Sequence, residues 1–132
     1  MSAKLSTGCE VLVVGCEKAL VRYFSVFLKI SGYKVDTALS VSEAFLKAQA
    51  HPPDILIIMT LMPEISGVEV GLRISSRSHC PVVFVTATDI GDFNGTLEHL
   101  RRQGCACMVL PLPFDNSDLL AKLKALAQVS NQ

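Results

Sequence analysis

Two hydrophobic patterns alternate along the chain. Short apolar runs such as DILIIM at 54–59 and PVVFVT at 81–86 are typical of strands that are buried on both faces of a parallel sheet. Longer segments between them repeat apolar residues every three or four positions, which is typical of amphipathic helices. The pattern predicts five strands, at 10–15, 34–38, 54–59, 81–86 and 108–110.

The predicted helices carry start and stop signals. Ser40 followed by Glu43 is a capping box, in which each side chain satisfies a backbone N–H group of the first turn. Asn94 is expected to cap the fourth helix. Gly32 and Gly104 are expected to end the first and fourth helices, because glycine enters the left-handed region without a steric penalty. The helices are predicted at 18–30, between Ser40 and Pro52, and at 68–76, 94–102 and 117–128.

The alternation of strands and helices predicts an α/β fold with a parallel sheet covered by helices on both faces. Right-handed crossovers, with the two most apolar strands in the middle, favour a flavodoxin-like (βα)5 doubly wound sheet with strand order 2-1-3-4-5. We expect residues 1–132 to form one domain with a core at about 9–128. The functional site of such a sheet lies beyond the carboxyl ends of its central strands.

The composition narrows the classes of partner. Twelve basic and twelve acidic residues cancel, so no broad cationic field is available for a nucleic-acid backbone or an anionic membrane surface. No apolar run approaches the length of a membrane span. An odd number of cysteines, five, and the lack of a recognisable signal peptide are typical of reduced thiols in the cytoplasm. We therefore expect a cytoplasmic protein with no direct nucleic-acid or membrane partner.

Sequence motifs for catalysis or cofactor binding are missing. The first strand is followed by neither a G-x-G-x-x-G string nor a phosphate-binding loop, and no nucleophile elbow occurs. The three histidines lack metal-ligand spacing, and Cys105-x-Cys107 departs from the CxxC redox spacing. We expect no enzyme activity, no cofactor and no metal site.

Five strings follow one another in a specific order: VLVVGCE, SGYKVDTA, HPPDILIIMTLMPEISG, PVVFVTA and LPLPF. Together they resemble the receiver domain of bacterial two-component response regulators, from about residue 9 to residue 127. The resemblance implies a phosphoryl-accepting aspartate at the end of the third strand and an acidic pair after the first strand that holds Mg²⁺. It also implies a Thr or Ser after the fourth strand and a Lys after the fifth, both contacting the phosphoryl group.

The acidic positions of this family are neutral in this chain. Met59 stands at the position of the phosphoryl-accepting aspartate, and the acidic pair is replaced by Gly15 and Cys16. Glu17 is the one acid that is kept, and it also suits the start of a helix. A thioether has no oxygen that can attack phosphorus, and one carboxylate does not make a selective Mg²⁺ site.

The other positions of the family site have also changed. Leu112 replaces the lysine, Thr86 keeps the hydroxyl group, and the aromatic switch position falls on Val109. The Leu112–Pro113 bond corresponds to a bond that is usually cis in the family, so a cis bond is predicted here. Because the carboxylates and the ammonium group are lost together, we expect the neutral residues that remain to pack as core.

The expected function is a receiver-like signalling module that acts through protein–protein contact without phosphorylation. The resemblance implies a partner face made by the fourth helix, the fifth strand and the fifth helix. The implied partner is a signalling kinase, a regulator or an attached effector domain, and homodimerisation through the same face is a second expectation. The cations of this face are Arg101, Arg102, Lys122 and Lys124.

Two other classes of function stay open. One is a ligand- or thiol-redox-sensing domain that uses the neutral pocket near Cys16. The other is phosphoryl acceptance by an unusual residue. Thiol titration separates the first class from simple packing, and incubation with acetyl phosphate tests the second.

Overall fold

The computed structural model describes residues 9–60, 66–87 and 90–130. Five parallel strands form one sheet: β1 (Glu10–Val14), β2 (Lys34–Ala38), β3 (Ile55–Met59), β4 (Val82–Thr86) and β5 (Cys107–Pro111). Their order in the sheet is β2-β1-β3-β4-β5, which confirms the predicted flavodoxin-like topology. β3 and β4 are buried along their whole length, as expected for central strands of a sheet that is covered on both faces.

Five helices alternate with the strands: α1 (Lys18–Ile30), α2 (Val41–Ala50), α3 (Gly67–Ser78), α4 (Ile90–Arg102) and α5 (Asn116–Ser130). Two apolar clusters lie on opposite faces of the sheet, one with α2, α3 and α4 and the other with α1 and α5. The strand period of two divides β1 between them. Leu12 and Val14 belong to the first cluster, whereas Val11 and Val13 belong to the second.

The fourth helix starts earlier than predicted. α4 begins at Ile90, so Asn94 is an exposed residue inside the helix and its predicted role as a cap is wrong. Gly91 and Asp92 have low helix propensity, which hides the first turn of α4 in the sequence. The predicted loop at 61–65 lies outside the described residues.

The start of α2 is close to the predicted capping box. The Ser40 hydroxyl oxygen accepts a hydrogen bond from the Glu43 N–H group at 3.1 Å. The Glu43 carboxylate, however, accepts from the N–H group of Leu39 at 2.9 Å, one residue before the position that a capping box requires. The predicted stop signals are present, because Gly32 and Gly104 adopt positive φ angles of 101° and 91°.

Candidate functional site

The residues predicted to stand at the family's phosphorylation site lie along the carboxyl edge of the sheet. Met59 and Thr86 are the last residues of β3 and β4, and Gly15 and Leu112 directly follow β1 and β5. Backbone hydrogen bonds join these ends, because the Leu112 N–H group donates to the Thr86 carbonyl at 2.9 Å and the Thr60 N–H group donates to the Val85 carbonyl at 3.0 Å. The structure therefore places the four strand ends side by side.

The Met59 side chain fills the space beside Gly15. A Cβ atom added at Gly15 would lie 2.3 Å from the Met59 sulfur, 2.7 Å from its terminal methyl group and 3.1 Å from Val21. Met59 is only 8% exposed and belongs to the apolar cluster under α1 and α5. A side chain at position 15, acidic or not, therefore requires the thioether to move.

The start of α3 also closes over the end of β3. A Cβ atom at Gly67 would lie 1.8 Å from the backbone oxygen of Met59, and the Gly67 N–H group donates to the Thr60 carbonyl at 2.9 Å. The Ser66 hydroxyl caps α3 by accepting from the Val68 N–H group at 3.2 Å. Sequence reasoning missed Gly67, because a lone glycine gives no signal of which backbone approaches it.

Cys16 and Glu17 turn away from this packed centre. Both are exposed, so the expectation that Cys16 packs into the converted site is wrong. The chain leaves the sheet after Gly15 and enters α1 at Lys18, which directs the two residues between them toward solvent. Glu17 is the N-cap residue of α1, and its side chain makes no capping hydrogen bond. Its carboxylate nonetheless lies where the helix dipole favours a negative charge.

The β5–α5 loop is held to α1 by aromatic rings. Leu112 is partly buried against the apolar cluster under α1 and α5, and the Leu112–Pro113 peptide bond is cis. Phe114 stacks on Phe24 with ring centroids 5.1 Å apart. Tyr23 packs beside Phe114 at 6.0 Å, and its hydroxyl group donates to Asn116 Oδ1 at 2.5 Å. These aromatic contacts were not recognised in the sequence, because they join residues that are distant along the chain.

A groove runs along the free edge of β5 between α4 and α5. Its volume is about 570 Å³, and it contains Val109, the residue predicted to stand at the family's aromatic switch position. Small side chains on α5, Ala121 and Ala125, form one wall, and Leu97 of α4 contributes to the other. This groove coincides with the partner face that the resemblance implies.

Three of the four predicted partner-face cations already have partners within the chain. The Arg101 guanidinium donates two hydrogen bonds, at 2.9 and 3.3 Å, to the Cys107 carbonyl. The Lys122 ammonium lies 3.0 Å from Asp118. Arg102 and Glu98 form an exposed pair at 3.9 Å, which is a weak interaction. Lys124 is exposed. Of the four cations, Arg101 and Lys122 line the groove.

The buried thiols lie away from the carboxyl edge. Cys80, Cys105 and Cys107 are buried in the cluster under α2, α3 and α4. Burial raises the pKa of Cys80 to about 12, and the hydrogen bond to Cys105 together with burial raises the pKa of Cys107. Both groups are therefore protonated at neutral pH and poorly nucleophilic.

The described part of the chain contains neither a metal-binding cluster nor a membrane-spanning helix. No three His, Cys, Asp or Glu side chains within it are grouped so that they could hold a metal ion. None of the helices in residues 9–60, 66–87 and 90–130 is long and apolar enough to cross a membrane.

Comparison with known proteins gives one family. A sequence model of the response regulator receiver domain matches residues 11–124. The response regulator ArlR of Staphylococcus aureus (strain Mu50) is 29% identical over 118 residues, which cover 89% of this chain and 52% of that protein. The chain thus spans about half the length of the curated relatives it matches.

Solved structures give the same result. Chemotaxis protein CheY4 of Vibrio cholerae superposes with a TM-score of 0.80 at 25% identity, covering 91% of this chain and 99% of that one. A two-component response regulator of Clostridium difficile has the same fold, with a TM-score of 0.81 at 21% identity and coverage of 94% and 99%. The chain belongs to the response regulator receiver domain family.

Proposed function

We propose that this receiver domain signals without phosphorylation, by binding a protein partner. The observation that carries the proposal is the packing of Met59 against Gly15, which fills the position of the phosphoryl acceptor with a buried thioether. Receiver domains are signalling modules that interact with kinases and effector domains. In this chain the site would be a fixed part of the core, and the signal would depend on surface contact alone. We place this activity in the cytoplasm, as the sequence led us to expect.

The residues at this edge do not suit phosphoryl transfer by the family's route. That route needs a carboxylate oxygen to attack phosphorus and opposite charges to neutralise the transferred group. Met59 offers neither an oxygen nor a charge, and Leu112 replaces the lysine. Glu17 supplies a single exposed carboxylate, whereas Mg²⁺ in proteins prefers several oxygen ligands in octahedral geometry.

The groove between α4 and α5 fits the partner face that the resemblance implies. Its floor is apolar, and it is an open groove and not an enclosed cavity, which suits contact with another protein. Arg101 is fixed to the backbone of β5 at its rim, so little rotamer entropy would be lost when a partner binds there. A kinase, a regulator, an attached effector domain or a second copy of the chain would occupy it.

The direct test of phosphorylation-independence is incubation with acetyl phosphate and Mg²⁺, followed by intact mass measurement. We expect no phosphoryl adduct on the wild-type chain. We also expect none on Met59→Asp, because the acidic pair and the lysine would still be missing. A receiver with the complete acidic set is the positive control for the reagent. An adduct on the wild-type chain would contradict the proposal.

Filling the groove between α4 and α5 with a larger side chain tests whether this face binds partners. Ala125→Arg places a long side chain in the groove and should abolish capture of partners and self-association through it, measured by affinity capture and sedimentation. Ala50→Arg, at the exposed end of α2 and outside the groove, is the matched control. The double variant Arg101→Ala and Arg102→Ala should also weaken capture. If none of these changes alters capture or self-association, the face is not used.

The exposure of Cys16 favours a second candidate function, thiol-based sensing. All five cysteines lie in the described residues, and Cys16 is the exposed one, whereas the other four are buried. Mass mapping after brief native treatment with N-ethylmaleimide should show label on Cys16 alone. A sensing role further requires that oxidation or alkylation of Cys16 change partner capture. If peroxide changes partner capture by neither the wild-type chain nor Cys16→Ser, this candidate function is wrong.

A further inference from the structure

Three buried thiols are grouped at the amino edge of the sheet, opposite the candidate site. Cys80 and Cys105 lie two residues before β4 and β5, and Cys107 is the first residue of β5. Each of the three is 3% exposed, and all belong to the apolar cluster under α2, α3 and α4. The fourth buried cysteine, Cys9, belongs to the cluster on the other face of the sheet.

The register of the sheet places Cys80 opposite Cys105. Val82 pairs with Cys107 in the parallel ladder, and the Val82 N–H group donates to the Ala106 carbonyl at 2.9 Å. Two residues earlier, the same register brings Cys80 and Cys105 together on one side of the sheet, because the side-chain period is two. Neighbouring strands lie about 4.8 Å apart, within the range of about 4.4–6.8 Å between the Cα atoms of disulfide-bonded cysteines.

Cys107 is less suitable than Cys80 as a disulfide partner for Cys105. Two extended residues separate the Cα atoms of Cys105 and Cys107 by about 6.6 Å, close to the upper limit for a disulfide. Their thiols are in hydrogen-bond contact. We therefore assign to Cys107 the role of a hydrogen-bond donor to the Cys105 sulfur.

Cys105 is the thiol of this group that ionises first. The hydrogen bond from Cys107 lowers the pKa of Cys105 most, burial opposes this effect, and a hydrogen bond from Ser75 lowers the pKa further, so the net change is a lowering. The pKa of Cys80, by contrast, is raised to about 12 by burial and by the charge of Cys105. A thiolate beside a protonated thiol suits a reaction in which one sulfur meets an oxidant and the other completes a disulfide.

An open cleft gives small molecules access to the two sulfurs. Its volume is about 490 Å³, and it is lined by Cys80 and Cys105 together with Ser75, His79 and Gln103. Hydrogen peroxide is only slightly larger than water, so it can enter the cleft and reach thiols that larger reagents meet poorly.

We propose that Cys80 and Cys105 form a redox site that hydrogen peroxide oxidises to a disulfide. The Cys105 thiolate attacks one peroxide oxygen, an S–O bond forms, the O–O bond breaks, and the leaving hydroxide takes up a proton to become water. The Cys80 sulfur then attacks the Cys105 sulfur, the S–S bond forms, the S–O bond breaks, and the hydroxyl group leaves as water with the Cys80 proton. In sum, both sulfurs are oxidised and both peroxide oxygens are reduced to water.

The first step of this reaction prepares the second. The negative charge of Cys105 is one cause of the raised pKa of Cys80, and conversion of the thiolate to a neutral sulfenic acid removes that charge. The Ser75 hydroxyl donates to the Cys80 carbonyl at 2.8 Å, which holds the second cysteine beside the first. The redox site lies at the opposite edge from Met59, so it is independent of the packing that carries the proposed function.

Metal binding is the other chemistry that grouped thiols can support. In residues 9–60, 66–87 and 90–130, no three His, Cys, Asp or Glu side chains are placed so that they could hold a metal ion. Two sulfurs alone supply only half of the ligands of a tetrahedral zinc site. Oxidation is therefore the chemistry that this group of thiols fits.

The test is oxidation of the whole chain in a Cys16→Ser background, which removes the exposed thiol. After brief treatment with hydrogen peroxide and removal of the excess by catalase, intact mass should show a monomer that has lost two hydrogen atoms. Dithiothreitol should restore the original mass. Digestion with trypsin should give one disulfide-linked pair of peptides, residues 78–101 joined to residues 103–122.

Single substitutions in the same background assign each sulfur. Cys105→Ala should abolish the reaction. Cys80→Ala should abolish the linked pair and leave a sulfenic acid on Cys105 that dimedone labels, which also shows that this variant keeps the reactive site. Cys107→Ala should form the linked pair at least about twofold more slowly, because a hydrogen bond to the thiolate is lost. Cys9→Ala, the matched control for a buried thiol, should react at the unsubstituted rate.

Three results would overturn the inference. A loss of two hydrogen atoms without linked peptides would place the disulfide between Cys105 and Cys107, and loss of the linked pair in Cys107→Ala would place it between Cys80 and Cys107. A native chain that keeps its mass and forms a disulfide only after unfolding in urea would show that the thiols serve packing alone. Circular dichroism checks that each variant is folded.

Discussion

Substitution of Gly15 by Ala, with and without Met59→Ala, tests whether these two residues occupy one space. The Cβ atom that Gly15→Ala introduces would stand 2.3 Å from the Met59 sulfur, well inside van der Waals contact, in a site where Met59 is 8% exposed. The atoms it meets belong to a flexible side chain, so the thioether can shift but must leave its packed position. Backbone strain does not enter, because Gly15 has no positive φ angle.

The expected changes in the free energy of unfolding follow from these contacts. Overpacking in a core costs about 1–3 kcal/mol, and the loss of unfolded-state freedom on replacing Gly by Ala returns about 0.4–1 kcal/mol. Gly15→Ala should therefore lower the free energy of unfolding by about 1–2 kcal/mol. Met59→Ala should lower it by about 2–3 kcal/mol, toward the lower end for a buried methionine. In the Met59→Ala background the two closest contacts are gone and the 3.1 Å contact with Val21 remains, so Gly15→Ala should become close to neutral.

Urea unfolding of the four proteins gives the double-mutant cycle. The expected coupling between positions 15 and 59 is the difference between these two costs, about 1–2 kcal/mol. Gly95→Ala is the matched control, since a Cβ atom there meets nothing within 4 Å on the exposed side of α4. It should stabilise the protein by about 0.5–1 kcal/mol in both backgrounds. If the cost of Gly15→Ala agrees within about 0.5 kcal/mol in the two backgrounds, residues 15 and 59 do not occupy one space.

Three further predictions concern stability. Gly67→Ala should lower the free energy of unfolding by about 4 kcal/mol or more, because the added atom meets the backbone oxygen of residue 59. Met59→Ala should therefore not rescue it. Rescue in urea unfolding would show that the clash is with the Met59 side chain instead. Tyr33→Phe should raise the thermal midpoint, since the buried Tyr33 hydroxyl has no hydrogen-bond partner among the described residues and an unmatched hydroxyl costs about 1–3 kcal/mol; a lower midpoint would reveal a partner. Lys47→Met should destabilise the protein more at pH 7 than at low pH, where the hydrogen bond that the Lys47 ammonium donates to the Thr37 carbonyl still remains to be lost. Burial raises the pKa of Asp36, but the hydrogen bond from Lys47 and neighbouring charges lower it, and the net result is a pKa below the ordinary 3.8. The contact between Asp36 and Lys47 therefore contributes stability above that pH, and this contribution is lost as the pH falls through the folded-state pKa. A difference between the two proteins that is the same at pH 7 and at about pH 2.5 would contradict this linkage.

The order of the elements was predictable because it depends on local patterns. The apolar runs of β3 and β4 and the helical periodicity of α1 each lie within one short stretch of sequence. The boundaries of α1 and β2 were predicted as the structure has them. Where local propensity opposed the fold, as at Gly91 and Asp92 in the first turn of α4, the prediction was wrong, since tertiary contacts outweigh single-residue preferences.

The candidate site was also predictable only in part. The sequence determined which charged groups are missing, because Gly15, Met59 and Leu112 can be read directly from their positions after the strands. It did not determine what replaces those groups in space. The thioether lies over Gly15, and Cys16 faces solvent, because side-chain packing across neighbouring strands decides which residue fills a given volume.

Tertiary structure alone decided two further features. Gly67, at the start of α3, is required by the backbone oxygen of Met59 at the end of β3. The outer face of α1 is exposed because its other face is sufficient to hold the helix on the sheet. In the sequence, apolar residues of both faces alternate within the same thirteen positions. Only the assembled sheet shows which of them are buried, since burial is a property of what packs against a helix and not of the helix itself.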